Sequence, residues 1–247
     1  MRLNRLSDNV VVKRDVPRLM RIEVAKMRRG YEIGLATGLF RVPRVLEYDE
    51  AAGEVKFEWL VGLQCVRHLL ANSPTPELVT RIGQTLAVIH RDLVLPDDMK
   101  KPLPSEFHLP GETEVFLHGD FTVDNVHVAG PGEPIVVLDW QMTDVHGEDS
   151  TYGTRYFDLT WFINTLFARP VHRYLGASRE APWAALFLKS YFDVAGGQWA
   201  QEDLRAYMDR FFAVKFAYRR RDWSLLRRLS MIPANARLRN FVQSFRL

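Results

Sequence analysis

The sequence has little cysteine: Cys65 is the one thiol among 247 residues. A single thiol cannot form an internal disulfide, so the fold must depend on a hydrophobic core. With 47% hydrophobic residues, a chain of this length can bury a substantial core as one domain. We therefore expect a protein of a reducing compartment.

Long hydrophobic runs are also lacking. The start, Met1-Arg2-Leu3-Asn4-Arg5, has no apolar stretch typical of a signal peptide, and no run reaches membrane-spanning length. There is no internal repeat and no low-complexity linker, apart from a loose loop predicted between Pro96 and Pro110. These absences predict a soluble, cytoplasmic protein.

A large excess of charge of one sign is absent as well. The formal net charge is only +3, although the sequence pI is about 9.0. No nucleic-acid recognition motif accompanies the basic residues, so we expect no nucleic-acid partner.

The sequence does contain a compact set of polar residues between apolar segments. His118-Gly119-Asp120 follows the short apolar segment 115–117, and Asn125 lies five positions after Asp120. Asp139 ends the apolar run 135–138. A kinase needs such a set, because one carboxylate orients the attacking hydroxyl while an amide oxygen and a second carboxylate hold magnesium on the nucleotide phosphates.

Local turn signals indicate how these residues come together. Gly119 permits a sharp turn at the end of the first strand. The Gly/Pro-rich turn at 129–134 predicts a hairpin of the strands 126–128 and 135–138. Asn125 and Asp139 would then lie at neighbouring ends of the hairpin, where they could share one hard cation.

The pattern of His-Gly-Asp, four residues, Asn, and a hydrophobic strand ending in Asp-Trp resembles the aminoglycoside phosphotransferase and choline kinase-like family of the protein-kinase-like superfamily. By that resemblance, Asp120 is the catalytic base, Asn125 a magnesium ligand and Asp139 the main magnesium ligand, with His118 as structural support. The resemblance implies ATP and Mg²⁺ as cofactors and a small-molecule hydroxyl as the acceptor.

The same resemblance implies an α+β, two-lobed protein-kinase-like fold. Residues 1–61 would form a shortened β-rich nucleotide-binding lobe, and residues 62–247 a mainly helical catalytic and substrate lobe. Apolar spacing predicts helices after Thr75, over 181–194 and over 201–230. A core stripe is expected at Leu204, Met208, Phe211, Phe212, Phe216 and Trp223.

In the nucleotide-binding lobe, residues 10–13 form a predicted strand and 19–29 a predicted helix. The family's lysine contacts the nucleotide phosphates and pairs with a helix glutamate. Lys13 and Glu23 match these positions, and Glu32 competes as the partner. The resemblance also places backbone groups of Glu58, Trp59 and Leu60 against the adenine.

One part of the family pattern is missing, namely the glycine-rich loop that covers the phosphates. Only twelve residues precede Lys13 and none is glycine; at best 2–6 pairs with 10–13. Three explanations stay open: an internal start within a longer protein, a naturally trimmed kinase, or loss of strong ATP binding. We expect weaker nucleotide affinity rather than lost chemistry.

Two further residues have competing explanations. The family uses an aspartate at the position of Asp158 to fasten the catalytic-loop backbone, but an ordinary carboxylate at a helix N-terminus would also explain it. His90 ends a predicted helix. Although the family commonly has a histidine here, interaction with the helix dipole is the simpler account.

The acceptor must be inferred from charge. Relatives that bind polycationic aminoglycosides present acidic residues to them, whereas the last helices here are basic. We therefore expect an anionic acceptor such as a phosphorylated sugar, or a lipid or glycolipid at an anionic membrane surface. A solvated basic helix face is the alternative, and oligomeric state is not indicated. The basic residues are Lys215, Arg219, Arg220, Arg221, Arg227, Arg228, Arg237, Arg239 and Arg246.

Two other function classes compete with an active kinase. A pseudokinase or nucleotide-binding protein would fit the missing glycine-rich loop. A metal oxygenase would use His118 and Asp120 as part of an iron-binding facial triad, with His172 as the third ligand. The second alternative requires a mostly β barrel, which the helical second half disfavours.

Overall fold

The computed structural model describes residues 2–7, 9–130, 132–142, 149–168, 180–196, 200–219 and 225–246; of 2–7, 216–219 and 225–230 only the backbone is described. The strands are β1 (Arg2–Ser7), β2 (Val10–Arg14), β3 (Phe40–Arg41), β4 (Val45–Asp49), β5 (Glu54–Glu58), β6 (Gln64–Cys65), β7 (Glu114–Phe116), β8 (Val126–Val128), β9 (Ile135–Val137) and β10 (Tyr152–Thr154). The helices are α1 (Pro17–Thr37), α2 (Val66–Asn72), α3 (Pro76–Asp92), α4 (Tyr156–Phe167), α5 (Glu180–Ala195), α6 (Gln201–Arg219) and α7 (Leu225–Ser244).

The first part of the chain folds into a four-stranded antiparallel sheet in the order β1-β2-β5-β4. The predicted pairing of residues 2–6 with 10–13 is confirmed, and Leu3 lies opposite Lys13 in the register. Helix α1 packs on this sheet through Met20 and Val24, which contact Val55 of β5. The sheet and α1 together bring Lys13 of β2 within 2.7 Å of Glu23 of the helix.

Helix α1 is longer than the predicted 19–29. Pro17 occupies its first turn, where a missing N–H costs nothing, and Gly38 ends it with a φ of 67°. The prediction stopped short because Gly30 and Gly34 weaken a helix. The structure uses Gly30 for close packing, since a Cβ there would lie 2.7 Å from the ring of Trp140.

A second four-stranded sheet, in the order β3-β9-β8-β6, supports the candidate site. Its centre is the predicted hairpin, in which His127 of β8 lies opposite Val136 of β9. The two-residue strands β3 and β6 flank it, β3 running parallel to β9. The sequence did not predict these edges, nor the pairing of β7 with β10, because such short segments carry no periodic pattern.

The rest of the described chain is mainly helical. Thr75 caps α3 by accepting a hydrogen bond from the Leu78 N–H at 3.3 Å, as its sequence signal indicates. The segment 201–230 was predicted as one helix. The structure has α6 and the start of α7 there, and residues 220–224 between them lie outside the described residues. Four members of the predicted core stripe are buried, while Trp223 and the side chain of Phe216 lie outside the described residues.

The segment 96–110 is more ordered than the predicted loose loop. It contains two short 3-10 helices, Asp97–Met99 and Ser105–Phe107. Met99, Leu103 and Phe107 are buried there and join the main hydrophobic core. A boundary between lobes at residues 61 and 62 remains a prediction. Within the described ranges, every helix is too short or too polar to cross a bilayer.

Candidate active site

The loop after β7 is fixed by one buried carboxylate. Gly119 has a φ of 95°, so it makes the sharp turn that the sequence predicted. Asp158, at the start of α4, accepts hydrogen bonds from the main-chain N–H groups of His118 at 2.8 Å and Gly119 at 3.0 Å. Its side chain is fully buried. Asp158 therefore fastens this loop, beyond what an ordinary helix-terminal carboxylate would do.

His90 is a further hydrogen-bond partner of the Asp158 carboxylate. Its Nε2 lies 3.0 Å from the Asp158 carboxylate and its Nδ1 lies 2.8 Å from the Tyr191 hydroxyl. Burial opposes the charge of Asp158, but the His90 hydrogen bond and the nearby Gly119 N–H hold its pKa below the usual value. These bonds, rather than the helix dipole, explain His90.

The Asp120 carboxylate is held from two sides. Trp161 donates its indole N–H to Oδ1 at 2.6 Å, and the Asn125 amide donates to Oδ2 at 2.6 Å. Burial raises the pKa of Asp120 to about 6, although both hydrogen bonds oppose the shift and Asp139 adds to it. A carboxylate with this pKa is suited to accept a proton near neutral pH.

The imidazole of His118 is an interior group rather than a ligand. It is fully buried and packs against the Trp140 ring at 4.6 Å. Its Nδ1 accepts a hydrogen bond from the Asp120 main-chain N–H at 3.2 Å. Burial lowers the pKa of His118 to about 4, so the ring is neutral at physiological pH.

This geometry disfavours the iron-site alternative. Both carboxylate oxygens of Asp120 accept hydrogen bonds within the protein, and the His118 ring is fully buried against Trp140. Among the described residues no group of three or more His, Cys, Asp or Glu could hold a metal, and His172 lies outside them.

Asn125 and Asp139 are neighbours, as the hairpin predicts. The Leu138 N–H donates to the Asn125 carbonyl at 2.9 Å, which places the residue before Asp139 beside Asn125. Asp139 takes a left-handed backbone conformation with a φ of 54°, and its side chain is 37% exposed. Because the Asn125 amide nitrogen donates to Asp120, its side-chain oxygen is the atom left for a cation.

The predicted lysine and glutamate pair is present. The Lys13 ammonium lies 2.7 Å from Glu23 and 3.0 Å from Asp139, with Lys13 and Glu23 buried. Burial alone would lower the pKa of Lys13, but the two carboxylates raise it above its usual value, so Lys13 is charged. The competing residue, Glu32, instead pairs with Arg29 at 2.9 Å on the exposed side of α1.

A cavity of about 490 Å³ brings these side chains together with the segment after β5. The main-chain N–H of Glu58 donates to Arg44, and that of Trp59 donates to Asn9, at 3.0 and 2.9 Å. The main-chain N–H groups of Glu58 and Trp59, which belong to the segment predicted to meet the adenine, are therefore used within the protein. The lining includes Lys13, Glu23, Glu58, Trp59, Leu60, Asn125 and Asp139.

Sequence reasoning missed three residues beside the site. The sequence analysis singles out neither Trp161 nor Lys26, and it names Lys215 only as one of the basic residues near the end of the chain. Lys215 is 6% exposed, and its ammonium lies 4.2 Å from the centre of the Trp161 ring. Lys26 is fully buried. A lysine on the apolar face of a predicted helix was the one signal that could have identified Lys26.

The rest of the basic segment is only partly described. Arg239 and Arg246 are exposed. Arg237 is mostly buried, with its guanidinium 3.9 Å from Glu180. The side chains of Arg219, Arg220, Arg221, Arg227 and Arg228 lie outside the described residues.

One segment of the chain is similar in sequence to a known family. Residues 92–204 match the phosphotransferase enzyme family in sequence. This segment contains His118, Asp120, Asn125, Asp139 and Asp158. Comparison with curated proteins finds no matching sequence.

Three solved structures illustrate the fold. A choline/ethanolamine kinase family protein from Mesorhizobium loti is 15% identical, with a TM-score of 0.57 over 99% of this chain and 89% of that one. Choline kinase LicA from Streptococcus pneumoniae is 13% identical, with a TM-score of 0.55 over 98% and 89%. A glucosamine kinase is 16% identical, with a TM-score of 0.60 over 95% and 75%. The two-lobed protein-kinase-like fold and the resemblance to the aminoglycoside phosphotransferase and choline kinase-like family are thereby confirmed.

Proposed function

We propose that the protein is an ATP-dependent phosphotransferase that moves the γ-phosphate to a hydroxyl of a small molecule. The observation that carries the proposal is the convergence of Lys13, Asn125 and Asp139 on one cavity, with the partly buried carboxylate of Asp120 hydrogen-bonded to Asn125. A core stabilised by ion pairs alone would not need a carboxylate with a raised pKa next to Asn125, which lines this cavity. The family match over 92–204 supports the same reaction class.

The residues fit a magnesium ion. Mg²⁺ prefers oxygen ligands and is commonly bound by one or two protein groups together with substrate phosphates. Asp139 offers a partly exposed carboxylate, and Asn125 offers its amide oxygen. Asp139 already lies against a cation, the Lys13 ammonium. Bound there, the metal would neutralise charge on the nucleotide phosphates.

In the proposed mechanism, Lys13 contacts the nucleotide phosphates while Glu23 holds its ammonium in place. Asp120 orients the acceptor hydroxyl and takes its proton late, as the oxygen–phosphorus bond forms and ADP leaves. Trp161 and Asn125 keep the Asp120 carboxylate in one orientation. The protein thus contributes mainly positioning and charge stabilisation.

The acceptor class is a finer proposal. The relatives described above are named as kinases of choline, ethanolamine and glucosamine, which supports a small hydroxyl compound. The Lys215 ammonium lies over Trp161, whose indole bonds to Asp120, so a positive charge is built in close to the base. This favours an anionic or neutral acceptor, such as a phosphorylated sugar or a lipid derivative, over a polycation. Binding at an anionic membrane surface stays part of the proposal.

The test is ADP formation from ATP with magnesium and a panel of matched acceptors: choline, glucosamine, glucose and glucose 6-phosphate. We expect magnesium-dependent turnover that is faster with the uncharged or anionic acceptors. Lys215→Met should reduce the difference in rate between the anionic or uncharged acceptors and the cationic ones. Lys189→Met, at an exposed position on α5, should leave that difference unchanged. Equal rates with cationic and anionic acceptors, unchanged in Lys215→Met, would contradict the acceptor proposal. Nucleotide binding without transfer to any acceptor would favour the pseudokinase alternative.

A further inference from the structure

Helix α1 carries a buried cation that the proposed mechanism does not use. Lys26 is fully buried, one helical turn after Glu23. Its ammonium donates to the main-chain carbonyl of His118 at 3.0 Å. The carbonyl belongs to the loop after β7, two residues before Asp120. Lys26 therefore joins α1 directly to the backbone of that loop.

Burying this ammonium is costly. An ammonium away from water loses its hydration, and one main-chain hydrogen bond returns only part of it. Burial lowers the pKa of Lys26 to about 8, while the charges of Asp158 and Glu23 oppose the shift. An apolar side chain of similar length would avoid this cost, so a role in stability alone accounts poorly for the lysine.

The two ends of this contact belong to different halves of the site. Glu23, on the same helix, pairs with Lys13 at 2.7 Å and so sets the group expected at the nucleotide phosphates. The His118 carbonyl belongs to the segment that Asp158 fastens and that Asp120 follows. A shift of α1 would change the Lys13–Glu23 pair and the Lys26 hydrogen bond together.

We propose that Lys26 is a positioning residue that ties helix α1, and with it the Lys13–Glu23 pair, to the backbone of the catalytic loop at His118. The inference rests on the proposed function for its catalytic consequence, but the physical link does not require turnover. Because of this contact, a movement of α1 would displace both Lys13 and the loop that carries Asp120.

The same helix offers a matched control. Arg29 also donates to a main-chain carbonyl, that of Asp92 at the end of α3, at 3.2 Å. Lys26→Met and Arg29→Met each remove one such bond from α1, and Arg29→Met also removes the exposed Arg29–Glu32 ion pair. Only the first bond reaches the catalytic loop.

The experiment measures amide hydrogen exchange of segment 118–125 in the full-length protein, alone and with Mg²⁺ and the non-hydrolysable ATP analogue AMP-PNP. In the free protein, Lys26→Met should speed exchange there by roughly tenfold, the effect of one lost charged hydrogen bond, and Arg29→Met should not. Bound AMP-PNP should slow exchange of this segment in the wild type and much less in Lys26→Met. In ADP formation, Lys26→Met should lower kcat by roughly tenfold with KM for ATP within about twofold.

Equal exchange in Lys26→Met and the wild type would overturn the link, as would equal acceleration by both variants. If Lys26→Met does not fold, Lys26→Gln replaces it. Its amide is uncharged and one atom shorter, so the bond to the His118 carbonyl is weakened. Exchange of segment 118–125 faster than in Arg29→Met then supports the link, and exchange equal to that in Arg29→Met overturns it. If the wild type neither binds AMP-PNP nor forms ADP, the proposed function fails. In that case, hydrogen exchange of segment 118–125 in the protein without nucleotide still tests whether Lys26 links α1 to the loop.

Discussion

At the scale of single residues, the best-predicted groups are those that share one local motif. The proximity of Asp120, Asn125 and Asp139 could be predicted because a five-residue spacing and a following strand place them together. Trp161 could not, since its contact with Asp120 joins positions 41 apart and depends on how α4 packs. Long-range side-chain contacts of this kind leave no periodic signal in the sequence.

The first prediction concerns the Trp161 indole. Trp161→Phe removes the N–H that Asp120 accepts at 2.6 Å but keeps an aromatic ring. Because the carboxylate then loses one of its two side-chain donors, kcat should fall roughly tenfold while KM for ATP stays nearly constant. Steady-state kinetics of ADP formation measure both constants.

Trp183→Phe on α5 is the matched control, since its side chain is only partly buried and is not among the groups that contact Asp120. An unchanged kcat in Trp161→Phe would show that the indole N–H does not position the base.

The second prediction concerns the protonation of His118. Its pKa is about 4 in the folded protein and near its usual value when unfolded, so the unfolded chain binds more protons between about pH 4 and 6.5. Its contribution to stability is therefore complete above pH 6.5 and is lost as the pH falls toward 4. Asp120, with a raised pKa, acts in the opposite sense over an overlapping range. The pH dependence of stability must therefore be compared between the wild type and a variant that lacks His118.

Urea unfolding of the wild type and His118→Gln at several pH values isolates this effect. Relative to His118→Gln, the wild type should lose roughly 3 kcal/mol of unfolding free energy between pH 7 and 4. Exposed His68→Gln should track the wild type. A difference that does not vary with pH would contradict the buried, neutral state of His118.

At the scale of elements, the hairpin of β8 and β9 and the helix α3 follow from turn and capping signals that act locally. The extent of α1 does not. Gly30 and Gly34 weaken the helix locally, but tertiary packing outweighs propensity because α1 must approach Trp140 closely. The flanking strands β3 and β6 are short and exist through pairing with the hairpin.

The third prediction tests the close approach of α1. Gly30→Ala places a methyl group within 2.7 Å of the buried Trp140 ring, although alanine favours the helix by itself. Overpacking should prevail and lower the free energy of unfolding by about 1–3 kcal/mol, with a loss of activity because α1 carries Glu23. Thermal or urea unfolding measures the change.

Alanine at Gly38, which ends α1 with a φ of 67° and open space around it, separates backbone strain from overpacking. If Gly30→Ala instead increased the free energy of unfolding, the Trp140 ring would be able to move away, and the packing between α1 and Trp140 would not be tight.

At the scale of the whole molecule, the two-lobed fold was predicted through the family resemblance rather than from periodicity. The four strands of the first sheet and α1 bring Lys13 within 3.0 Å of Asp139, and both residues line the same cavity. The acceptor was less predictable, because it depends on side chains brought together from α4 and α6, such as Trp161 and Lys215.

The most direct test of the central claim is magnesium-dependent formation of ADP by the wild type, Asp120→Asn and Asp139→Ala, with nucleotide affinity measured in parallel. We predict turnover in the wild type and losses of about a thousandfold in Asp120→Asn, which keeps nucleotide affinity. Asp139→Ala should lose turnover together with its normal dependence on magnesium concentration. Wild-type rates in Asp120→Asn, or unaltered magnesium dependence in Asp139→Ala, would contradict the assignment of this site to phosphoryl transfer.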